Sequence, residues 1–260
     1  MEFETLTLDR RDSLAIITYN RPETMNASNS HSSADLSAVI DEIEADAQIK
    51  AVILWGGSKV FAVGDEIKFI LEANPLETEA FVARCNTIHN KIEASSKPYV
   101  AAIAGMALGG GLETALACDI RIATENAVLG LPQINLGIIP GAGGTQRLPR
   151  IVGSGWANHF IMTGEMIDAQ TAFRIGLVTR LVPIYEPLLD AAENIAKSLA
   201  FKSPLAMRAA KKCVQKSKNT DLLTGLAYEQ KSWAYLFSSE DQTEGMKSFI
   251  EKRKPNYCGK

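Results

Sequence analysis

Between Leu108 and Thr114 the chain reads LGGGLET, three consecutive glycines followed by an acid and a run of good helix formers. Glycine is unfavourable inside a helix, by about 1 kcal/mol against alanine, and an ordinary strand has no need of it. At a helix start, however, the backbone N–H groups lack partners and carry a partial positive charge. Glycines there let a ligand approach the backbone closely. The stretch LGGGLETALAC therefore points to N–H groups aimed at an oxygen that becomes anionic, with Glu113 one turn inside and facing the same spot. An oxyanion site beside a carboxylate base suits chemistry next to a carbonyl. The same residues also fit a plainer role, in which the glycines permit close packing and Glu113 is a favourable first-turn acid.

A second segment, KVFAVGDEIKFI (59–70), strengthens the chemical reading. It follows the apolar run AVILWG, and its Gly64 opens a predicted helix that leaves backbone N–H groups free near Val63. Two glycine-opened turns after two buried strands can place two donors around one oxygen. Other chemistries fit less well. IIPGAGGTQRLPR matches neither a dinucleotide nor a P-loop pattern, and GSG at 153–155 lacks the spacing of a nucleophile elbow. The three histidines, His31, His89 and His159, pair with no His or Cys at metal-ligand spacing, so no metal site is expected.

The elements that must position these residues alternate. ETLTLD and LAIITY read as a hairpin, and Leu36, Val39, Ile40 and Ile43 mark one face of a helix. AVILWG (51–56), YVAAIA and DIRIA read as strands, with helices at about 76–93 and from LGGGLET to Cys118 between them. This pattern predicts an α/β fold with crossover connections. From about Pro187 no strand pattern remains. Helices are predicted at 187–199, 203–217 and 221–252, the last broken near Ser238-Ser239, laid on the core or reaching beyond it. The chain is accordingly divided into a core at 1–186 and a helical region at 187–260.

The 260 residues carry 27 Lys and Arg against 30 Asp and Glu, a net charge of −3, which argues against nucleic acid as a partner. No apolar run approaches the roughly 20 residues that span a bilayer. The opening, MEFETLTLDRRDS, resembles neither a secretory signal nor a transit peptide. Cys85, Cys118, Cys213 and Cys258 form no CxxC pair, so a cytoplasmic protein with reduced thiols is expected.

Taken together, the segments resemble the crotonase family, the enoyl-CoA hydratase/isomerase superfamily. The resemblance runs from NRPETMNA (20–27) through FAVGDEIKFI, KPYVAAIAGMALGGGLETALACDIRIA and LPQINLGIIPGAGGTQRLPRIVG to MTGEMIDAQTAFRIGLVTRLVP and GMKSFIEKRKPNY. It implies a spiral core of ββα units, a helical C-terminal trimerisation region, and a homotrimer or dimer of trimers. It implies an acyl-CoA thioester as substrate and no further cofactor. By position, the backbone N–H groups of Val63 and Gly110 would form the oxyanion hole. Val63, Gly64, Asp65 and Glu66 would line the CoA side, and Phe249 and Lys252 would reach the CoA of a neighbouring subunit. For Lys252 a solvated lysine in a charged tail is an equal alternative.

One departure bears on the reaction. Family hydratases carry two glutamates, the second in a Pro-Glu pair twenty residues after the first; here Glu113 is followed by Pro132-Gln133. A glutamine can orient water but cannot exchange a proton near neutral pH. The resemblance thus implies hydration of a 2-enoyl-CoA led by Glu113 and assisted by Gln133. Three explanations of Gln133 stand: a specialised one-acid hydratase, another enolate reaction such as decarboxylation or retro-aldol cleavage, or a Glu-to-Gln change made to trap substrate. A silent acyl-CoA-binding subunit is the non-enzymatic alternative. Glu23 departs too, where a basic residue often stands near the CoA phosphates. Phe69, Leu71 and Phe81 suggest an apolar acyl pocket, with core packing equally consistent.

Overall fold

Asp12 takes a φ of 53° and reverses the chain, so that β1 (Leu6–Arg11) and β2 (Leu14–Tyr19) pair antiparallel, as the hairpin pattern predicts. The computed structural model describes residues 3–260. Asn29 caps α1 (Ser30–Ala45), accepting from the N–H groups of His31 and Ser32, and the apolar face Leu36, Val39, Ile40 and Ile43 is buried. After β3 (Ala51–Trp55) come α2 (Ile67–Glu72) and α3 (Pro75–Ala94). Then β4 (Tyr99–Ile103), β5 (Met106–Leu108) and α4 (Gly110–Ala117) follow in quick succession. The strands β6 (Ile120–Thr124) and β7 (Val128–Gly130) lead to a 3-10 turn at Pro132–Leu136, then α5 (Gly144–Val152) and α6 (Ser154–Thr163). The chain closes with β8 (Ile167–Asp168), α7 (Ala169–Arg174), β9 (Arg180–Val182), α8 (Leu188–Ala200), α9 (Pro204–Ser217), α10 (Leu222–Leu236) and α11 (Glu240–Ile250).

Six strands form one sheet in the order β1-β2-β3-β4-β6-β9, parallel from β2 onward, and β5-β7-β8 form a smaller one. Each long parallel strand is followed by a short excursion into the second layer: Ala62 bridges Ala107 after β3, β5 follows β4, and β7 follows β6. These are the ββα units that the family resemblance implies. The long strands are apolar on both faces, as parallel strands covered on both sides must be. Val52, Leu54, Ala101 and Ile103 face the core shared with α1, α3 and α4. Ala51, Ile53, Val100 and Ala102 face α8 through Leu188, Ala192 and Ala196.

The helical region expected from 187 onward thus has two parts. Helix α8 lies on the large sheet, whereas α10 and α11 leave Leu222, Leu223, Trp233, Phe249 and Ile250 exposed. Phe237 and the turn at Ser238-Ser239 separate α10 from α11, where the break is predicted. Helix α9 is tied to the core by a buried cation. Lys211 Nζ donates to the carbonyls of Ile92 and Lys97, both at 2.8 Å, and pairs with Asp119 at 2.8 Å. Among the described residues no helix is long and apolar enough to cross a membrane.

Candidate active site

The three glycines before Glu113 have distinct structural reasons. Gly109 sits at φ 52° and ψ −127°, a backbone conformation that side chains disfavour, and makes the corner between β5 and α4. A Cβ on Gly111 would lie 2.3 Å from the carbonyl oxygen of Ala62, so only glycine lets α4 press against the segment after β3. Gly110 is the first residue of α4, and its N–H has no acceptor among the described residues.

Glu113 follows one turn later and is 1% exposed. Its Oε1 accepts a hydrogen bond from the N–H of Gly144 at 2.7 Å, at the start of α5. A side chain at 144 would collide with that oxygen, its Cβ falling 2.9 Å away. Burial is the main reason that the Glu113 carboxyl is pushed up to about 7, and the charge of Asp65 adds to it. The N–H of Gly144 opposes the shift. Such a carboxyl can exchange a proton near neutral pH.

The loop that presents Gly144 is fixed from behind. His89, buried on α3, contacts the Ala142 carbonyl through Nδ1 at 2.8 Å and the Thr114 hydroxyl through Nε2 at 2.9 Å. The carbonyl only accepts, which sets the proton on Nδ1. Burial lowers the imidazole to about 4, so the ring is neutral.

Gln133 is the second residue of the 3-10 turn after β7. Its Nε2 approaches Glu113 Oε2 at 3.4 Å, and its Oε1 is buried without a partner. Asp65 stands on the other side of Gly110: a Cβ there would lie 3.3 and 3.4 Å from the two Asp65 carboxylate oxygens. Burial pushes the Asp65 carboxyl up to about 6.

A cleft of about 550 Å³ brings these groups together. Val63, Gly64, Asp65, Gly110, Glu113 and Gln133 all line it. Ile70, Phe81, Val82, Leu136, Ile138 and Ile139 make the rest of its wall largely apolar. Of the three apolar residues singled out in the sequence, Phe81 lines the cleft. Phe69 stacks edge-on against Phe81 at 5.0 Å from behind, and Leu71 is 82% exposed.

Two expectations need correction. Val63 lines the cleft, but its N–H faces away from Gly110. The Ala62 carbonyl accepts from Leu108 N–H at 2.9 Å, and in a trans peptide the Val63 N–H points in the opposite direction. The next peptide but one has the required orientation. The Gly64 carbonyl accepts from Ser28 N–H at 2.7 Å, which turns the Asp65 N–H away from Ser28 and toward the Gly110 side. Gly64 makes this possible with a φ of 99°. The segment from Gly64 to Glu66 is therefore extended and bridged to Ser28, and α2 begins only at Ile67.

Glu66 is not on the cleft wall: its carboxylate pairs with Arg21 at 2.7 Å and accepts from Asn29 at 2.9 Å, tying the loop to the start of α1. Phe249, 85% exposed, and Lys252, just past the end of α11, stand apart from the cleft of their own chain. Sequence reasoning missed the inward-facing peptide of Asp65 and Gly144 as the seat of Glu113. The glycine pattern GAGG was the available signal for the second.

A corner glycine, a helix-start N–H and a buried carboxylate at the mouth of an apolar cleft define a site for carbonyl-adjacent chemistry. The chain belongs to the enoyl-CoA hydratase/isomerase family, whose model matches residues 9–260. It is 42% identical over 255 residues to the short-chain-enoyl-CoA hydratase of Clostridium acetobutylicum, covering 98% of this chain and 97% of that one. It is 39% identical to the crotonyl-CoA hydratase of Syntrophomonas wolfei over the full length of both. The crystal structure of the enoyl-CoA hydratase from Bacillus anthracis superposes with a TM-score of 0.95 at 38% identity, covering 99% of this chain and all of that one.

Proposed function

We propose that this chain is a hydro-lyase, an enoyl-CoA hydratase that adds water across the 2,3 double bond of a 2-enoyl-CoA to give the 3-hydroxyacyl-CoA. The observation that carries this reading is Glu113, a buried carboxyl poised near neutral pH one turn inside the helix whose first N–H, that of Gly110, is free. The thioester oxygen accepts from the N–H groups of Gly110 and Asp65, and the start of α4 stabilises the charge it gains. Each such donor is worth about 10²–10³ in rate. The acyl chain lies along Ile70, Phe81 and Leu136 in the apolar part of the cleft.

Glu113 takes a proton from a water molecule as its oxygen bonds to C3. The π electrons move to C2 and onto the thioester oxygen, giving the enolate. Gln133 holds the same water, its unpartnered Oε1 accepting the second O–H. Only CoA takes part besides, as a portion of the substrate. Val63 and Gly64 flank it at the cleft mouth.

The exposed apolar side chains of α10 and α11 are what a trimerisation surface requires, and we assign the chain to a homotrimer or a dimer of trimers. In such an assembly Phe249 and Lys252 reach the CoA of the adjacent subunit. Light scattering is expected to return three or six times the chain mass of 28.2 kDa; a monomer would exclude the assignment. We place the protein in the cytoplasm, with its four cysteines as free thiols.

The activity is tested by following the loss of enoyl-thioester absorbance with crotonyl-CoA for the parent and Glu113→Gln. Turnover by the parent, reduced about 10²–10⁴-fold in the variant, is the expected result. Carbon dioxide release or acyl-chain shortening without hydration would assign another enolate reaction. Binding without conversion would assign a silent subunit.

A further inference from the structure

Hydration is incomplete until C2 receives a proton, and Gln133 stands where a second acid would be expected. Among the described residues that line the cleft, the carboxyl groups are those of Glu113 and Asp65. Glu113 is committed to the water at C3. Asp65 is placed at the oxyanion hole itself, since its own N–H is one of the two donors and its carboxylate oxygens lie against Gly110. The C2 atom of a bound thioester is about 2.4 Å from the oxygen in that hole, from ordinary bond lengths and angles.

The surroundings of Asp65 also fit a group that carries a proton. Its carboxyl forms no ion pair or hydrogen bond with another group among the described residues. It lines both the cleft and a neighbouring small chamber of about 40 Å³ whose wall includes Tyr19, Ser33, His89 and Thr114. From α4, Glu113 faces it with like charge. From α3, Cys85 faces it with a thiol that burial pushes up to about 12, and His89 beyond is neutral. From the segment before α1, Arg21 lines the chamber but is held by Glu66 at 2.7 Å and by the Ala27 carbonyl at 2.6 Å. Among the described residues no free cation therefore stabilises an Asp65 carboxylate. An ionised Asp65 would oppose the enolate in the adjacent hole, whereas a protonated one does not.

We propose that Asp65 is the acid that protonates C2, taking the part that Gln133 cannot play. This rests on the hydratase reading. In the forward direction the enolate collapses, its C1–C2 π electrons taking the Asp65 proton to form the C2–H bond while the thioester carbonyl re-forms. Asp65 is left as carboxylate. The proton that Glu113 took from the water then returns to Asp65 through solvent in the cleft, so the net change is one water added. Asp65 and Glu113 share a single proton; with Glu113 at about 7 and Asp65 at about 6 it rests on Glu113 before substrate binds, and protonation of C2 requires it on Asp65 once substrate is bound.

The test separates C2 from C3 by using butyryl-CoA, which has no double bond to hydrate. Exchange of its C2 protons in deuterium oxide is followed by proton NMR for the parent, Asp65→Asn, Glu113→Gln and Asp65→Asn/Gln133→Glu. Asp65→Asn is nearly isosteric and retains the backbone N–H. Its fold is checked by circular dichroism and its butyryl-CoA Kd is expected within about 3-fold of the parent. The inference expects exchange to fall by about 10²-fold or more in Asp65→Asn, to persist in Glu113→Gln, and to recover when Gln133→Glu is added. Exchange at the parental rate in Asp65→Asn, or its abolition in Glu113→Gln alone, overturns the assignment while crotonyl-CoA hydration by the parent keeps the hydratase reading intact. A parent that hydrates no 2-enoyl-CoA overturns both.

Discussion

Glu113 is held in a state the unfolded chain would not choose, since burial raises its carboxyl from 4.5 to about 7. Below pH 4.5 folded and unfolded chains both hold the proton. As pH rises from there through about 7, the folded chain keeps a proton the unfolded one has released, and stability declines. Asp65, raised to about 6, adds to this with the same sign. Glu113→Gln is therefore expected to gain stability relative to the parent as pH rises through that window, on the order of 1–3 kcal/mol at pH 8 and little at pH 4. Urea denaturation at the two pH values measures it; equal differences at both would exclude the buried-carboxyl account. Glu113 was legible in the sequence because a helix start after glycines is a local pattern. The direction of the Asp65 peptide was not. Which way a peptide faces at Val63 or Asp65 is set by partners at Leu108 and Ser28, more than thirty residues away.

Among the elements, α4 is placed by contact rather than by its own hydrophobic pattern. Seven of its eight residues are buried, and its register against the segment after β3 depends on the absence of a side chain at Gly111. Gly111→Ala would drive a methyl into the Ala62 carbonyl. It is expected to cost about 1–3 kcal/mol of stability and to lower kcat about 10²-fold by displacing the Gly110 N–H. Stopped-flow hydration assays read the rate, and an unchanged kcat would mean that α4 is free to slide. The long strands and helices were legible from their periodicity. Strands β5, β7 and β8 were not, because two or three residues cannot display an alternation. Their existence follows from the sheet they complete.

At the scale of the molecule, a buried cation ties the helical tail to the catalytic core, beside a more exposed pair of Lys218 and Glu93 at 3.3 Å. Lys211 ends among the Ile92 and Lys97 carbonyls and Asp119, with Tyr99 beneath it at 5.4 Å. Lys211→Met would keep the stem and leave the Asp119 carboxylate and two carbonyls without their partner. The expected loss is about 3–5 kcal/mol, seen as a lower urea midpoint; a loss under about 1 kcal/mol would show that the Lys211 contacts do not hold α9. In AAKKCVQKSK this lysine is indistinguishable from its solvated neighbours, and only the tertiary fold selects it. The tail itself was legible from its unbroken helical pattern, but the division at 187 falls before α8, which is part of the sheet's own cover.

The Gly144 amide, donating to Glu113 at 2.7 Å, is also a built-in indicator of the active centre. Its proton resonance moves downfield when the carboxylate gains charge and back when it is neutralised. With nitrogen-15 placed in glycine alone, one cross-peak among nineteen glycines would follow the ionisation of Glu113 across the pH range, with no substrate bound and no turnover required.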